Sequence, residues 1–163
     1  MLNQPFIQEL KHEAASTKKM LERIPGDKFD WKPHEKSRTV AELASHVADL
    51  PGFLNGILAQ DELDFAKGDY KVYVTETPGE LMNLFQEKID EVLQTLQNTS
   101  DERMLADFTL RSGDHVIATV PRIVAVRSMG LNHIVHHRGQ LSVYLRLLDI
   151  PVPGMYGPSA DEV

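Results

Sequence analysis

Four stretches of helical periodicity, two longer connections and the absence of any sustained strand pattern predict an all-α chain. The expected architecture is a four-helix bundle with long crossover connections. At 163 residues, 42% of them apolar and 25% charged, residues 1–163 suit one domain with an ordinary core.

The first helix is expected from Pro5 to Ile24, where Phe6, Ile7, Leu10, Ala14 and Leu21 share a side and Pro25-Gly26-Asp27 stops the run. A loop carrying Trp31 and Pro33 follows, from Lys28 to Arg38. The second helix begins at Ser37 or Thr39, both good N-caps, and Thr39-Val40-Ala41-Glu42 has capping-box spacing. It reaches Gln60 with Leu43, Val47, Leu50, Leu54 and Ile57 inward, and Pro51-Gly52 predicts a kink or break. The third runs from Pro78 to Leu96, with Thr77 as N-cap and Leu81, Leu84, Phe85, Ile89, Val92 and Leu96 as its stripe. Between Asp107 and Val120 the residues alternate around Ser112-Gly113-Asp114, which predicts an irregular crossover or a short hairpin. The fourth helix, Pro121 to Leu148, ends at Asp149-Ile150-Pro151, and a turn-rich tail is expected to pack on the bundle.

A net charge of -7 without a basic block argues against nucleic-acid binding and against an anionic membrane surface. No apolar run approaches the ~18–20 residues that span a bilayer. The chain has no cysteine, which excludes disulfides, thiolate zinc sites and a cysteine nucleophile. With an N-terminus, Met1 to Phe6, that lacks a basic and apolar leader, a cytoplasmic location is expected.

The chemistry concentrates in histidines. At roughly 100° per residue, Val126, Gly130, His133, His137, Gln140, Tyr144 and Leu148 fall in one sector, and His136 lies aside. His133 and His137, four apart on a helix, have Cβ atoms about 5–6 Å apart. In the second helix His46 shares a stripe with Leu43, Leu50 and Ile57. Three buried imidazoles need partners, and one divalent ion supplies a partner common to all three. Three histidines with an open position is a catalytic zinc arrangement, and nickel, cobalt and iron also accept imidazole. Against this stands a core of ordinary histidines bonded to carbonyls or carboxylates, and residue types and spacing leave both readings open. Ile134 follows His133 where the zincin motif has a glutamate, so no general base is built in. Asp49, three residues after His46, is a candidate base, ligand or ligand partner, weighed against a solvated or salt-bridged helix position. Gln140, three after His137, is a candidate to orient a ligand or bind a substrate, weighed against a polar helix end. Gly130 leaves room for a substrate or a close helix approach.

The stretch His133-x-x-His136-His137-Arg138-Gly139-Gln140-Leu141 resembles the signature of the DinB/YfiT-like metalloenzymes. Trp31-Lys32-Pro33 leading into Ser37 to His46, and the tail Val152 to Glu162, are similar to that family too. The resemblance implies a four-helix bundle, often a homodimer, with one divalent ion held by His46, His133 and His137. Zinc or nickel comes first, with iron, cobalt or manganese as alternatives. It also implies a thiol S-transferase in detoxification or stress response, acting on a small-molecule electrophile with a low-molecular-weight thiol. The alternatives are a metal-dependent hydrolase and a non-enzymatic, metal-stabilised binding module.

Overall fold

Side-chain caps set where the long helices begin. The computed structural model describes residues 1–71 and 73–162. Helix α1 spans Asn3–Leu21 and α2 spans Val40–Ala59. Thr39 closes a full capping box: the Glu42 N–H donates to Thr39 Oγ1 at 3.1 Å, and the Thr39 N–H donates to Glu42 Oε2 at 2.7 Å. Helix α3 covers Pro78–Asn98, capped by Thr77 Oγ1, which accepts from the Glu80 N–H at 3.2 Å. α2 is buried on nearly every side because it packs against both α3 and the C-terminal helix.

Of the kink or break expected at Pro51-Gly52, the break does not occur: α2 continues through it to Ala59. A helix-interior proline costs about 3 kcal/mol. Phe53, Leu54, Ile57 and Leu58 beyond it are all buried, each contributing roughly 1.5–3 kcal/mol, so packing outweighs the missing donor.

The all-α expectation is corrected by a small sheet, although helices dominate. Strands β1 (Glu62–Asp64), β2 (Asp107–Ser112) and β3 (His115–Pro121) lie in the order β1-β2-β3. β2 and β3 form the antiparallel hairpin, with Gly113 in the left-handed region at φ 58°. β1 runs parallel to β2 in the register Glu62 opposite Thr109. Three residues are too few to display a period of two, so β1 carries no local signal. The short helix α4 (Asp101–Leu105) is likewise additional to the expected elements.

The C-terminal rod is continuous: α5 (Arg122–Ala125), a π-helical turn (Val126–Leu131) and α6 (Asn132–Leu147). The Arg122 guanidinium at its start is wholly buried. It donates to the carbonyls of Ile57 at 2.7 Å, Arg103 at 2.8 Å and Gln60 at 2.8 Å, and so caps the carboxyl end of α2. The π turn changes the helix wheel. One turn there holds an extra residue, so the inward stripe steps from Val126 and Gly130 to Ile134, Arg138, Leu141 and Leu145. His133 and His137 therefore border the core stripe of α6, half-buried, rather than lying at its centre.

Gly130 is where the rod meets α2. A Cβ there would lie 2.5 Å from Leu54 Cδ1, and Leu54 is fully enclosed and cannot swing away. Gly130→Ala is expected to destabilise the protein by about 1–3 kcal/mol in urea titrations. Gly139→Ala, in open space on the same rod, is expected to be neutral or to stabilise by up to about 1 kcal/mol. Equal effects from both would contradict the close approach.

Candidate metal centre

His46 comes from the second turn of α2, and His133 and His137 from the first two turns of α6. The ring centroids lie 5.3 Å (His46–His133), 4.5 Å (His46–His137) and 4.7 Å (His133–His137) apart. One ring nitrogen from each falls within 4.8 Å of the others, and no carboxylate of the described residues joins this group. Tetrahedral zinc–nitrogen bonds of about 2.0–2.1 Å need nitrogens roughly 3.3 Å apart, a closure within reach of small side-chain rotations.

The nitrogens are in the right state to ligate. His46 is pulled from 6.5 down to about 3, first by burial and then by the charges of Arg38, His137 and His133. Burial is also the leading cause lowering His133 and His137. All three imidazoles are thus neutral at ordinary pH. Two have their second nitrogen engaged. His137 Nδ1–H donates to Gln140 Oε1 at 2.7 Å, which presents Nε2 as the free lone pair. His133 donates to the Met129 carbonyl. His46 Nδ1 is buried without a partner among the described residues, the kind of orphan a bound cation resolves. Donor type, charge state and this orphan all fit a divalent ion.

Each histidine opens on a different cleft. His137 lines one of about 480 Å³ with Ser37, Arg38, Leu43, Gln140, Val143 and Tyr144. His46 lines one of about 200 Å³ with Arg38, Glu42 and Val74. His133 lines an apolar one of about 440 Å³ with Phe53, Phe65, Leu110 and Met129.

The other candidates divide. Gln140 belongs to the centre, as a hydrogen-bond partner of His137; its Nε2–H also donates to the exposed His136 at 3.2 Å. Asp49 does not join the histidines. It is buried rather than solvated, and its carboxyl is pushed up by that burial. It faces Tyr70 and α3: Lys88, Glu91 and Glu87 are the charges it feels. Arg38 is an addition, exposed beside two of the three clefts. Arg138 is another. Only 2% exposed, it pairs with Glu13 Oε2 of α1 at 2.6 Å and donates to Thr17 Oγ1 at 3.1 Å and to the Tyr156 hydroxyl of the tail at 2.7 Å. The readable signal was a charge inside each stripe, Glu13 after Leu10 and Arg138 after Ile134.

The model of the DinB family matches residues 1–163. The chain belongs to the DinB family. This DinB chain is 29% identical to the uncharacterized protein YjoA of Bacillus subtilis over 132 residues, 80% of each protein. The crystal structure of a DinB-like protein from Bacillus cereus superposes with a TM-score of 0.70 at 22% identity, covering 93% of this chain and 95% of that one. The crystal structure of a mycothiol-dependent maleylpyruvate isomerase shares the fold at a TM-score of 0.56 and 13% identity, over 87% of this chain and 58% of that one. Among the described residues, no helix of the DinB chain is long and apolar enough to cross a membrane.

Because the folded state holds the three imidazoles below their ordinary pKa, the unfolded chain takes up protons first as the pH falls. Their contribution to stability is complete above 6.5 and is lost toward the His46 value of about 3. The metal-free protein is expected to lose urea resistance as the pH falls from about 6.5 to about 5, and His46→Leu to lose less over that window. An equally steep loss in the variant would refute the depressed His46 pKa. Arg138→Met strands a buried Glu13 and is expected to cost about 3–5 kcal/mol, part of which Glu13→Gln restores in the double variant. Additive effects in that cycle would show that the pair is not coupled.

Proposed function

We propose that this chain is a metal-dependent enzyme in which His46, His133 and His137 hold one divalent ion, zinc or nickel, and a small thiol is transferred to an electrophile. The observation that carries the reading is that three neutral imidazoles meet where three clefts converge, without a carboxylate in the group. A divalent ion there would supply Lewis acidity that lowers the pKa of a coordinated thiol. A thiol ionises under that influence without a separate base. A water nucleophile is helped by one, and no carboxylate of the described residues stands in the group. Asp49 faces Tyr70 and α3, and Glu42, in the His46 cleft, is committed to capping Thr39. This favours transfer of a thiol over hydrolysis. The fold shared with an isomerase described as mycothiol-dependent adds support at the level of architecture.

In this reading α1, α2, α3 and the C-terminal rod are the four helices of a bundle, and the sheet is an appendage. Gln140 and the Met129 carbonyl keep His137 and His133 turned to the centre. The apolar cleft at His133 takes the body of the electrophile, with Phe53 and Phe65 excluding water from it.

Purified protein is expected to contain roughly one zinc or nickel ion per chain by elemental analysis, and the His133→Ala/His137→Ala double variant none. Removing the ion with chelator is expected to lower the thermal midpoint. Wild-type protein without metal, full occupancy in the double variant, or a midpoint unmoved after confirmed metal loss would overturn the site. Turnover of an electrophile by the metallated protein in the absence of any thiol would overturn the transferase reading in favour of hydrolysis.

A further inference from the structure

Arg38 stands beside the centre with an unspent charge. It lines both the His137 cleft and the His46 cleft. Its backbone is pinned, because the Tyr144 hydroxyl donates to the Arg38 carbonyl at 3.2 Å and the Tyr144 ring meets Trp31 edge-on at 5.7 Å. The guanidinium, like that of Arg23, which lines neither cleft, has no hydrogen bond or ion pair among the described residues, whereas Arg103, Arg111, Arg122, Arg127, Arg138 and Arg146 are each tied to a carboxylate. Glu42, the acid that shares the His46 cleft with it, already accepts from the Thr39 N–H at 2.7 Å.

Among the described residues that line these two clefts, Arg38 is the one lysine or arginine. The first N–H groups of α2 are occupied: Val40 donates to the Trp31 carbonyl at 2.9 Å, Ala41 to Phe29 at 3.0 Å and Glu42 to Thr39 Oγ1 at 3.1 Å. The chain as a whole, at a net charge of -7, repels anions. A planar guanidinium left free there matches a carboxylate in shape as well as charge. Clefts of about 200 and 480 Å³ admit a small molecule.

We infer that Arg38 binds the carboxylate of a substrate entering from the His46–His137 side, so that the protein selects a carboxylate-bearing small molecule over its neutral counterpart. The inference rests on the thiol-transfer reading for what the two substrates are, and the carboxylate can belong to the thiol or to the electrophile. The test is titration calorimetry on the metallated protein with two matched pairs: mercaptoacetate against mercaptoethanol, and succinate against succinamide. Wild type is expected to prefer the carboxylate member of one pair by roughly fivefold, equivalent to about 1 kcal/mol for a partly exposed pair. Arg38→Gln is expected to abolish that preference and Arg38→Lys to keep part of it, with thermal midpoints unchanged because the head group is free. A preference in the thiol pair assigns the carboxylate to the thiol, and one in the succinate pair alone assigns it to the electrophile. Equal binding within both pairs in wild type, or a preference that survives in Arg38→Gln, overturns the inference. If neither thiol binds while the succinate preference still depends on Arg38, the thiol reading fails and the carboxylate site stands.

Discussion

The contact between Gly130 and Leu54 governs how close α2 and the C-terminal rod can run, and the triad exists only because they run close. His46 lies on one of these helices and His133 and His137 on the other. Leu54 occupies the space in which any side chain at position 130 would stand. Two buried arginines hold the rod on either side of that contact. Arg122 ties its start to the carboxyl end of α2, and Arg138 ties its middle to Glu13 of α1. The histidines thus sit between two fixed points, on elements whose relative depth is set by a missing Cβ.

That rigidity matters because the site is costly in the absence of a common partner. Burial keeps the imidazoles uncharged, which is the form that donates a lone pair. Gln140 and the Met129 carbonyl settle which nitrogen is available on two of them. The surroundings are graded in polarity, from the aromatic and aliphatic wall at His133 to the free guanidinium near His137 and His46. Two chemically unlike molecules can therefore approach the same point from different sides.

Much of this was legible in the residue order. The apolar period gave the four long helices, Thr39 and Thr77 gave their starts, and wheel geometry separated His133 and His137 from His136. The Ser112-Gly113-Asp114 turn marked the hairpin. What escaped was non-local or broke the assumed period. β1 is a strand only because β2, far along the chain, pairs with it. Pro51 sits unbroken in α2 because tertiary packing overrides a local rule. The wheel placed the histidines within the core stripe rather than at its border because it assumed a uniform 100° step, which the π turn does not obey. Asp49 lies on the His46 side of α2 by count, yet the Tyr70 loop and α3 claim it, and no local pattern announces that.

The π turn carries an evolutionary consequence. Deleting one residue between Val126 and Leu131 would restore an ordinary helix and relax its hydrogen bonding. Because that turn already holds one residue more than an α-turn, its loss would leave the faces of the flanking segments in phase, so Arg122 at one end and the histidines at the other would keep their directions. A deletion within α6 itself would instead swing His133 and His137 apart by roughly 100°. Single-residue changes of length in descendants of this chain should therefore collect in the loops, the hairpin and this turn, and spare the regular helix around the histidines.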